Sequence, residues 1–204
     1  MPKVINAENL IQQKEKLPTE AFFVDTNTIV YLNDPFGESE SDGLVTELNP
    51  KLSRLYNYLA NHHKCYCTIE IAFEYYHHIK YGTMKNFKKL RNNIEYSDFK
   101  KLRKTDTEFH DIWNQRIRKF KRAFEKRFVL YNSHVDLEKL IISYKSENDF
   151  VDHLFYSSVI SLPDQFRCIL TYDEDFYNYA EDFYLLTFNP KIISLAKRDD
   201  KLYM

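Results

Sequence analysis

The stretch AFFVDTN at residues 21–27 decides the fold prediction, because an apolar run ends abruptly at the carboxylate of Asp25. Four consecutive apolar residues are typical of a strand that is buried on both faces of a parallel sheet. A second run, CIL at residues 168–170, leads in the same way into Thr171, Tyr172 and Asp173. Functional groups of open α/β folds collect beyond the carboxyl ends of the strands. We therefore expect Asp25 and Asp173 at the same edge of a parallel sheet.

Four further acidic residues belong to the predicted site. Glu74 lies in a predicted helix that follows the strand-like CYCT at 65–68, Asp149 and Asp152 begin a later helix, and Asp175 follows the second apolar run. Crowded carboxylates repel one another unless a cation neutralises them. Mg²⁺ and Mn²⁺ are hard cations that prefer oxygen ligands. The acidic cluster therefore predicts a site for Mg²⁺ or Mn²⁺.

Strand-like and helix-like segments alternate along the chain, which predicts an α/β fold. The predicted strands cover 21–25, 64–68, 128–131, 168–170 and 184–187. The predicted helices cover 6–16, 26–33, 50–61, 69–81, 135–145, 148–161, 173–181 and a segment from 189 onward. This order predicts a three-layer α/β/α sandwich with a mostly parallel sheet of about five strands.

The composition narrows the class of protein. At 204 residues with 44% hydrophobic content the chain can form one substantial domain, whereas three glycines leave no glycine-rich loop of the Rossmann or P-loop type. The polar start of the sequence and the absence of a long apolar run predict a soluble, cytoplasmic protein that does not contact membranes. Three cysteines without a CxxC motif are expected to be small buried side chains.

Positive charge is concentrated in one segment. Residues 83–129 hold 15 lysine and arginine residues against 6 aspartate and glutamate residues, although the whole chain has a net charge of −1. Aromatic and basic residues recur there at helical spacing, which predicts a basic helical hairpin over 83–127, inserted into the α/β body. It is either a solvated surface or a contact for nucleic-acid phosphates. The predicted nucleic-acid-binding residues are Arg116, Arg118, Lys119, Lys121 and Arg122.

These motifs, taken in order, resemble the PIN domain family of metal-dependent nucleases. The family pattern is a strand that ends in Asp before a hydroxyl residue and Asn, a helical Glu, an Asp at a helix start, and a strand that ends in T-x-D. The matching positions are Asp25-Thr26-Asn27, Glu74, Asp152 and Thr171-Tyr172-Asp173. LLTFNP at 185–190 is similar to the family's last strand and its following proline. The resemblance covers 21–82 and 128–196, and the basic insertion is longer than in the compact toxin members.

The resemblance implies a single PIN-like domain over 1–204 with the insertion at 83–127, and an enzyme that hydrolyses phosphodiester bonds, in RNA rather than DNA. Asp25 and Asp173 would be the principal metal ligands, Asp152 a ligand directly or through water, and Glu74 a ligand or water-orienting base. Asn27 and Thr171 would orient the carboxylates. Asp149 and Asp175 are further ligand candidates. A toxin role would add an antitoxin or other protein partner, and a homodimer is left open.

Other interpretations of the same residues stay open. Asp25-Thr26-Asn27 could only cap a helix, and Asp149 and Asp152 could only complement a helix dipole. The chain could also be a PIN-fold module that binds RNA or protein with a weak or inactive site. A phosphatase of the haloacid dehalogenase type is a further alternative, because DTNT at 25–28 resembles D-x-D-x-T. Asn27 stands there in place of the second Asp and could not act as the general acid of that reaction.

Overall fold

The computed structural model describes residues 2–33, 43–91, 98–132, 149–179 and 182–203, together with 135, 136, 138 and 141. Within this part of the chain, six strands form one sheet in the order β1-β6-β5-β2-β3-β4, and every pair of neighbours is parallel. The strands are β1 (Lys3–Asn6), β2 (Ala21–Val24), β3 (Lys64–Thr68), β4 (Val129–Tyr131), β5 (Cys168–Leu170) and β6 (Tyr184–Thr187). The predicted α/β fold with a parallel sheet is confirmed.

Helices connect the strands and form the outer layers of a three-layer α/β/α sandwich. The helices are α1 (Ala7–Gln13), α2 (Thr26–Asn33), α3 (Gly43–Leu59), α4 (Ile69–Leu90), α5 (Phe99–Thr105), α6 (Thr107–Arg127), α7 (Phe150–Ile160) and α8 (Pro190–Arg198). Short 3₁₀ helices cover Asp164–Phe166 and Asp175–Asn178. No helix among the described residues is long and apolar enough to cross a membrane.

The order of the strands creates a switch point between β2 and β5. From β2 the chain moves through β3 to β4 on one side, and it then returns to β5 and β6 on the other side. Crossovers between parallel strands are right-handed, so connections that run in opposite directions lie on opposite faces of the sheet. Such a reversal leaves a crevice at the carboxyl ends of the two strands. Strands β2 and β5, which are followed by Asp25 and Thr171, border this crevice.

The central strands are stable because both of their faces are buried. All four residues of β2 and all three of β5 are buried, and Leu185 and Leu186 of β6 are fully buried. The three cysteines are also buried, as the sequence predicts, and burial raises the pKa of the Cys168 thiol to about 12. A thiol in such surroundings behaves as a small apolar group.

The basic segment forms an antiparallel pair of helices, but its first arm is not a separate helix. The predicted helix 69–81 continues to Leu90, and α6 runs back along it after the short α5. Ring contacts join Tyr75 to Phe120 and Phe87 to Phe109, with centroids 5.6 and 5.1 Å apart. Every fourth residue of α4 from Ile71 to Phe87 is buried, and this regular stripe is the reason for the extra length.

Three other element predictions differ from the structure. The sheet has one strand more than predicted, because β1 is a four-residue segment that pairs with β6 and carries no local period of its own. Helix α3 begins at Gly43 and not at 50: Pro50 lies inside it, and its buried stripe already starts at Val45. The predicted helix 173–181 is reduced to one 3₁₀ turn. The predicted helix 135–145 lies mostly outside the described residues.

Burial in the sheet should determine stability, and two leucines allow a matched comparison. Leu185 in β6 is 0% exposed, whereas Leu130 in the edge strand β4 is 56% exposed. We expect Leu185→Ala to lower the free energy of unfolding by about 2–5 kcal/mol, because it removes buried methyl groups and leaves a cavity. Leu130→Ala should lower it by less than about 1 kcal/mol. Urea unfolding measures both, and equal losses would contradict the buried central sheet.

Candidate acidic site at the switch point

The ends of β2 and β5 bring the first two predicted motifs together. Val24 and Leu170 are paired in register, so the residues that follow them, Asp25 and Thr171, leave the sheet side by side. The hydroxyl of Thr171 donates a hydrogen bond to Oδ2 of Asp25. The same hydroxyl accepts a hydrogen bond from the backbone N–H of Asp173 at 2.9 Å. Thr171 therefore links the two aspartates and orients Asp25, as the resemblance implies.

The other oxygen of Asp25 is held by the first turn of α2. Oδ1 accepts a hydrogen bond from the backbone N–H of Thr28 at 2.6 Å. The hydroxyl of Thr28 in turn donates to the carbonyl of Leu170 at 3.2 Å, which ties the helix to β5. Asp25 thus makes a helix-capping hydrogen bond, as one alternative interpretation requires. It does so at the sheet edge, only 3% exposed, where the other acidic residues also converge.

Glu74 reaches the same edge from α4, one turn after its start. Helix α4 follows β3 directly, and the Thr68 side chain caps it by accepting from the N–H of Ile71. The half-buried Glu74 accepts a hydrogen bond at Oε2 from the hydroxyl of Thr26, the residue after Asp25. The charge of Glu70, by contrast, acts on the Cys67 thiol, whose pKa it helps to raise. The structure therefore places Glu74 beside the β2 motif.

Asp152 enters the site from α7, and its pKa reports how close the other acids lie. Its pKa is raised from 3.8 to about 7, most by burial and then by the charges of Asp173, Glu74, Asp149 and Asp25, in that order. Among the described residues, no lysine or arginine forms an ion pair with Asp25, Glu74, Asp152 or Asp173. The four carboxylates therefore interact with one another, and no cation of the described part of the chain is paired with any of them.

Asp25 shows how burial and hydrogen bonding compete. Its pKa is raised from 3.8 to about 6, because burial, with a smaller contribution from the charge of Asp173, outweighs the hydrogen bonds from Thr171 and Thr28 that lower it. Hydrogen bonds to a carboxylate favour its charged form, and burial disfavours that form. Here burial dominates, so ionised Asp25 is at a disadvantage that a bound cation would remove.

The remaining predicted residues lie around the four carboxylates. Asp149 is exposed and caps α7, where it accepts from the N–H of Val151 at 2.8 Å. Asp175 is exposed, and its N–H donates to Oδ1 of Asp173 at 3.0 Å. Asn27 is exposed and, in the described part of the chain, makes no hydrogen bond to a carboxylate. Asn27, Asp173 and Asp175 line an open cleft of about 390 Å³.

Three residues that hold the site were not predicted from the sequence: Thr26, Thr28 and Asn189. Asn189 is 4% exposed and donates from Nδ2 to the carbonyl of Tyr172 at 2.7 Å. Its own N–H donates to the hydroxyl of Thr187 at 2.9 Å, so the end of β6 fixes the loop that carries Asp173. The available signal was the hydroxyl residue at the end of three strands, since Thr68 ends β3, Thr171 follows β5 and Thr187 ends β6.

The donor set can be tested against the metal that the sequence predicts. Within the described residues, no three histidine, cysteine, aspartate or glutamate side chains are arranged so that they could hold a metal ion together. Mg²⁺ is usually bound in proteins by one or two carboxylates, and it keeps waters and substrate phosphates as its other ligands. The oxygen-only chemistry of the four carboxylates fits a cation bound in that way. It does not fit a closed cage built only from protein ligands.

The predicted nucleic-acid-binding residues of α6 differ in accessibility. Arg116 is half-buried, and its guanidinium donates to the hydroxyl of Thr83 at 3.0 Å, which ties α6 to α4. The other four are exposed: Arg118, Lys119, Lys121 and Arg122. Arg116 therefore has a packing contact that the sequence did not predict, and the other four are open to a ligand.

Comparison of the chain with protein-family models, with curated proteins and with solved structures gives no match. The resemblance to PIN domain nucleases accordingly rests on the motifs and on their position in the fold.

The raised pKa of Asp152 predicts a pH-dependent effect on stability. The folded state binds its proton more tightly than the unfolded state does, so this contribution is present below about pH 4 and is lost as the pH rises through about 7. Asp152→Asn has no charge to bury. In metal-free buffer we expect it to gain roughly 1–2 kcal/mol relative to wild type between pH 4.5 and pH 8, allowing for solvent screening.

Urea unfolding of both proteins at the two pH values measures this difference. Glu125→Gln, at an exposed position on α6, is the matched control and should show the same difference from wild type at both pH values. A pH-independent effect of Asp152→Asn would mean that the folded protein does not raise the pKa of Asp152.

Proposed function

We propose that this protein is a nuclease that uses Mg²⁺ or Mn²⁺ to hydrolyse phosphodiester bonds, with RNA as the favoured substrate. The observation that carries the proposal is the convergence of Asp25, Glu74, Asp152 and Asp173 at the carboxyl edge of the sheet, where no lysine or arginine of the described ranges forms an ion pair with them. Acidic clusters of this kind bind divalent cations, and such cations bind phosphate oxygens. The choice of RNA follows from the resemblance to the PIN domain family.

Each carboxylate has a role that its position supports. Asp25 and Asp173, linked by Thr171, would hold the cation, and Asp152 would contribute directly or through a water. Glu74, held by Thr26, would bind the cation or orient the attacking water. A bound Mg²⁺ or Mn²⁺ would supply an activated water and stabilise the charge that develops on the phosphate. No covalent intermediate with the protein is required.

The second candidate function is a nucleic-acid- or protein-binding module with a weak or inactive site. It is favoured by one observation: no group of three potential ligands is arranged to hold a metal among the described residues. Such a module would keep the fold and its exposed basic residues, but it would not hydrolyse the strand that it binds. Metal affinity and strand cleavage therefore distinguish the two candidates.

The nuclease proposal predicts metal-dependent cleavage that requires Asp173. Labelled single-stranded RNA and DNA should be cut in the presence of Mn²⁺, and Asp173→Asn should lower the rate by at least about 100-fold, because it removes a charged metal ligand. Asp164→Asn is the matched control: Asp164 is an aspartate whose side chain is 89% exposed, in the Asp164–Phe166 turn. Equal products from wild type and Asp173→Asn would assign the activity to a contaminant or to another site.

Calorimetry of Mn²⁺ binding in the absence of substrate is a second test of the nuclease proposal. Asp25→Asn should weaken Mn²⁺ binding by calorimetry, since it removes one of the proposed principal ligands. Wild-type protein that binds neither Mn²⁺ nor Mg²⁺ and cuts no strand would favour the binding module. Release of inorganic phosphate from monoesters would instead favour the phosphatase alternative.

The exposed basic residues of α6 predict an effect on substrate affinity alone. Reversal of Arg118, Lys119 and Arg122 to Glu should raise the KM for RNA and flatten its salt dependence, because fewer counterions are released on binding. Metal affinity should not change. Reversal of Lys14, Lys16 and Lys64, which are exposed residues outside α6, is the charge-matched control. A similar KM increase in the control would mean that only net charge matters.

A further inference from the structure

Helix α4 carries an exposed aromatic stripe that no part of the proposed site uses. The stripe consists of Phe73, His77 and Tyr81, which are four residues apart and therefore follow one side of the helix. Phe73 and Tyr81 are each 62% exposed. The rings of His77 and Tyr81 are stacked at 27°, with their centroids 6.1 Å apart. Exposed aromatic side chains that adjoin one another on a helix face, unlike isolated ones, mark a candidate binding surface.

The stripe shares its side of α4 with the acidic site. His77, His78 and Tyr81 lie three, four and seven residues after Glu74, so all of them are on the face of the helix that Glu74 occupies. Lys85 and Lys88 continue this face away from the site. From Glu74 to Lys88 the face extends about 21 Å along the helix. A continuous surface therefore leads from a predicted metal-site residue to exposed aromatic rings and then to lysines.

Helix α6 does not cover this surface, because it packs on the opposite side of α4. The contacts to α6 include the ring of Tyr76, which lies 5.8 Å from that of Trp113, and the hydroxyl of Thr83, which accepts from Arg116. Tyr76 is two residues beyond Glu74, and Thr83 is two residues beyond Tyr81. Two residues correspond to a rotation of about 200° around a helix. The exposed aromatic stripe and the basic residues of α6 are thus separate surfaces.

The charge along the exposed face is positive. Residues 75–90 contain four lysines and no aspartate or glutamate. Within the described residues, none of these lysines forms an ion pair. The ammonium of Lys80 lies 5.6 Å from the centroid of the Tyr81 ring. An open depression of about 920 Å³ lies beside this face, and its described lining includes Tyr81, Met84, Lys85 and Lys88.

We propose that an unpaired nucleic-acid strand runs along this face of α4 as it leaves the acidic site. Its bases stack on Tyr81 and on the neighbouring rings of the exposed aromatic stripe, and Lys85 and Lys88 contact its phosphates. The identity of the ligand rests on the proposed function, since the stripe begins beside Glu74. Aromatic rings interleaved with basic residues are the chemistry that binds single strands, because every base offers a face for stacking. A duplex keeps its bases stacked internally and cannot use the rings.

Strand binding without metal tests the proposal independently of catalysis. A fluorescent oligonucleotide of about 12 nucleotides, as RNA and as DNA, is titrated in the presence of a chelator, and a duplex of the same length is titrated in parallel. Tyr81→Ala should weaken binding of the single strands roughly 5- to 100-fold, the range expected for one lost base stack. Tyr81→Phe keeps the ring and should bind like wild type. Duplex binding should not change in either variant.

Tyr203→Ala provides the matched control, because Tyr203 is 50% exposed and packs against Tyr184 of β6, far along the sheet from α4. A 2-aminopurine base in the strand adds a direct signal, since its fluorescence is quenched when it stacks. Phe73→Ala should weaken binding as well. Unchanged single-strand affinity and unchanged quenching in Tyr81→Ala would overturn the proposal.

The outcome separates this proposal from the proposed nuclease activity. Loss of strand affinity in Tyr81→Ala, together with no metal-dependent cleavage by wild type, would support the strand path on a binding module and reject the nuclease. Cleavage that requires Asp173, with Tyr81→Ala binding like wild type, would support the nuclease and reject the strand path.

Discussion

The hydroxyl of Thr171 joins the ends of two neighbouring strands by its hydrogen bond to Asp25, and the rest of the acidic site depends on this link. It is possible only because β2 and β5 are adjacent, parallel and paired so that Val24 lies opposite Leu170. A shift of one residue in this pairing would turn every side chain of one strand to the other face of the sheet. The buried apolar residues of both strands prevent such a shift, so core packing fixes the position of a polar group.

The same arrangement creates an electrostatic problem that the described residues do not resolve. Asp25 is almost completely buried and receives two hydrogen bonds, yet the balance of burial and hydrogen bonding still raises its pKa. The pKa of Asp152 is raised by burial as well, and also by the charges of four neighbouring carboxylates. The free energy of unfolding is therefore lower at neutral pH, because the folded protein must keep several negative charges close together. Perturbed carboxylates at a sheet edge are typical of functional sites, where a ligand provides the missing charge.

The central part of the acidic site could be predicted from the sequence, because the motifs that define it consist of neighbouring residues. A buried strand followed by a carboxylate can be recognised from a few residues, and the parallel alternation of strands and helices then places Asp25 and Asp173 together. Glu74 and Asp152 could be selected from their spacing after a strand end and at a helix start. Each of the four reaches the same edge in the structure.

Features that depend on distant contacts could not be predicted in this way. Thr26 is important because it contacts Glu74, and Asn189 because it contacts the carbonyl of Tyr172. No periodic pattern in the sequence marks either residue. Helix α3 was predicted too short because proline usually marks a helix start, whereas here a buried stripe begins before Pro50. The exposed aromatic stripe of α4 was hidden for a related reason, since exposure is known only once α6 is seen on the other side.

The pairing of β1 with β6 has a consequence for how the molecule folds. Residues 3–6 find their partners at 184–187, across almost the whole described length of the chain, and Val4 also bridges to Leu202. Contacts between such distant segments close only after the intervening chain has become compact, and they slow folding. The core strands β2, β3 and β5 can assemble earlier, so the acidic edge would exist before the first strand docks. During synthesis, residues 3–6 cannot pair in the sheet until residues 184–187 have left the ribosome.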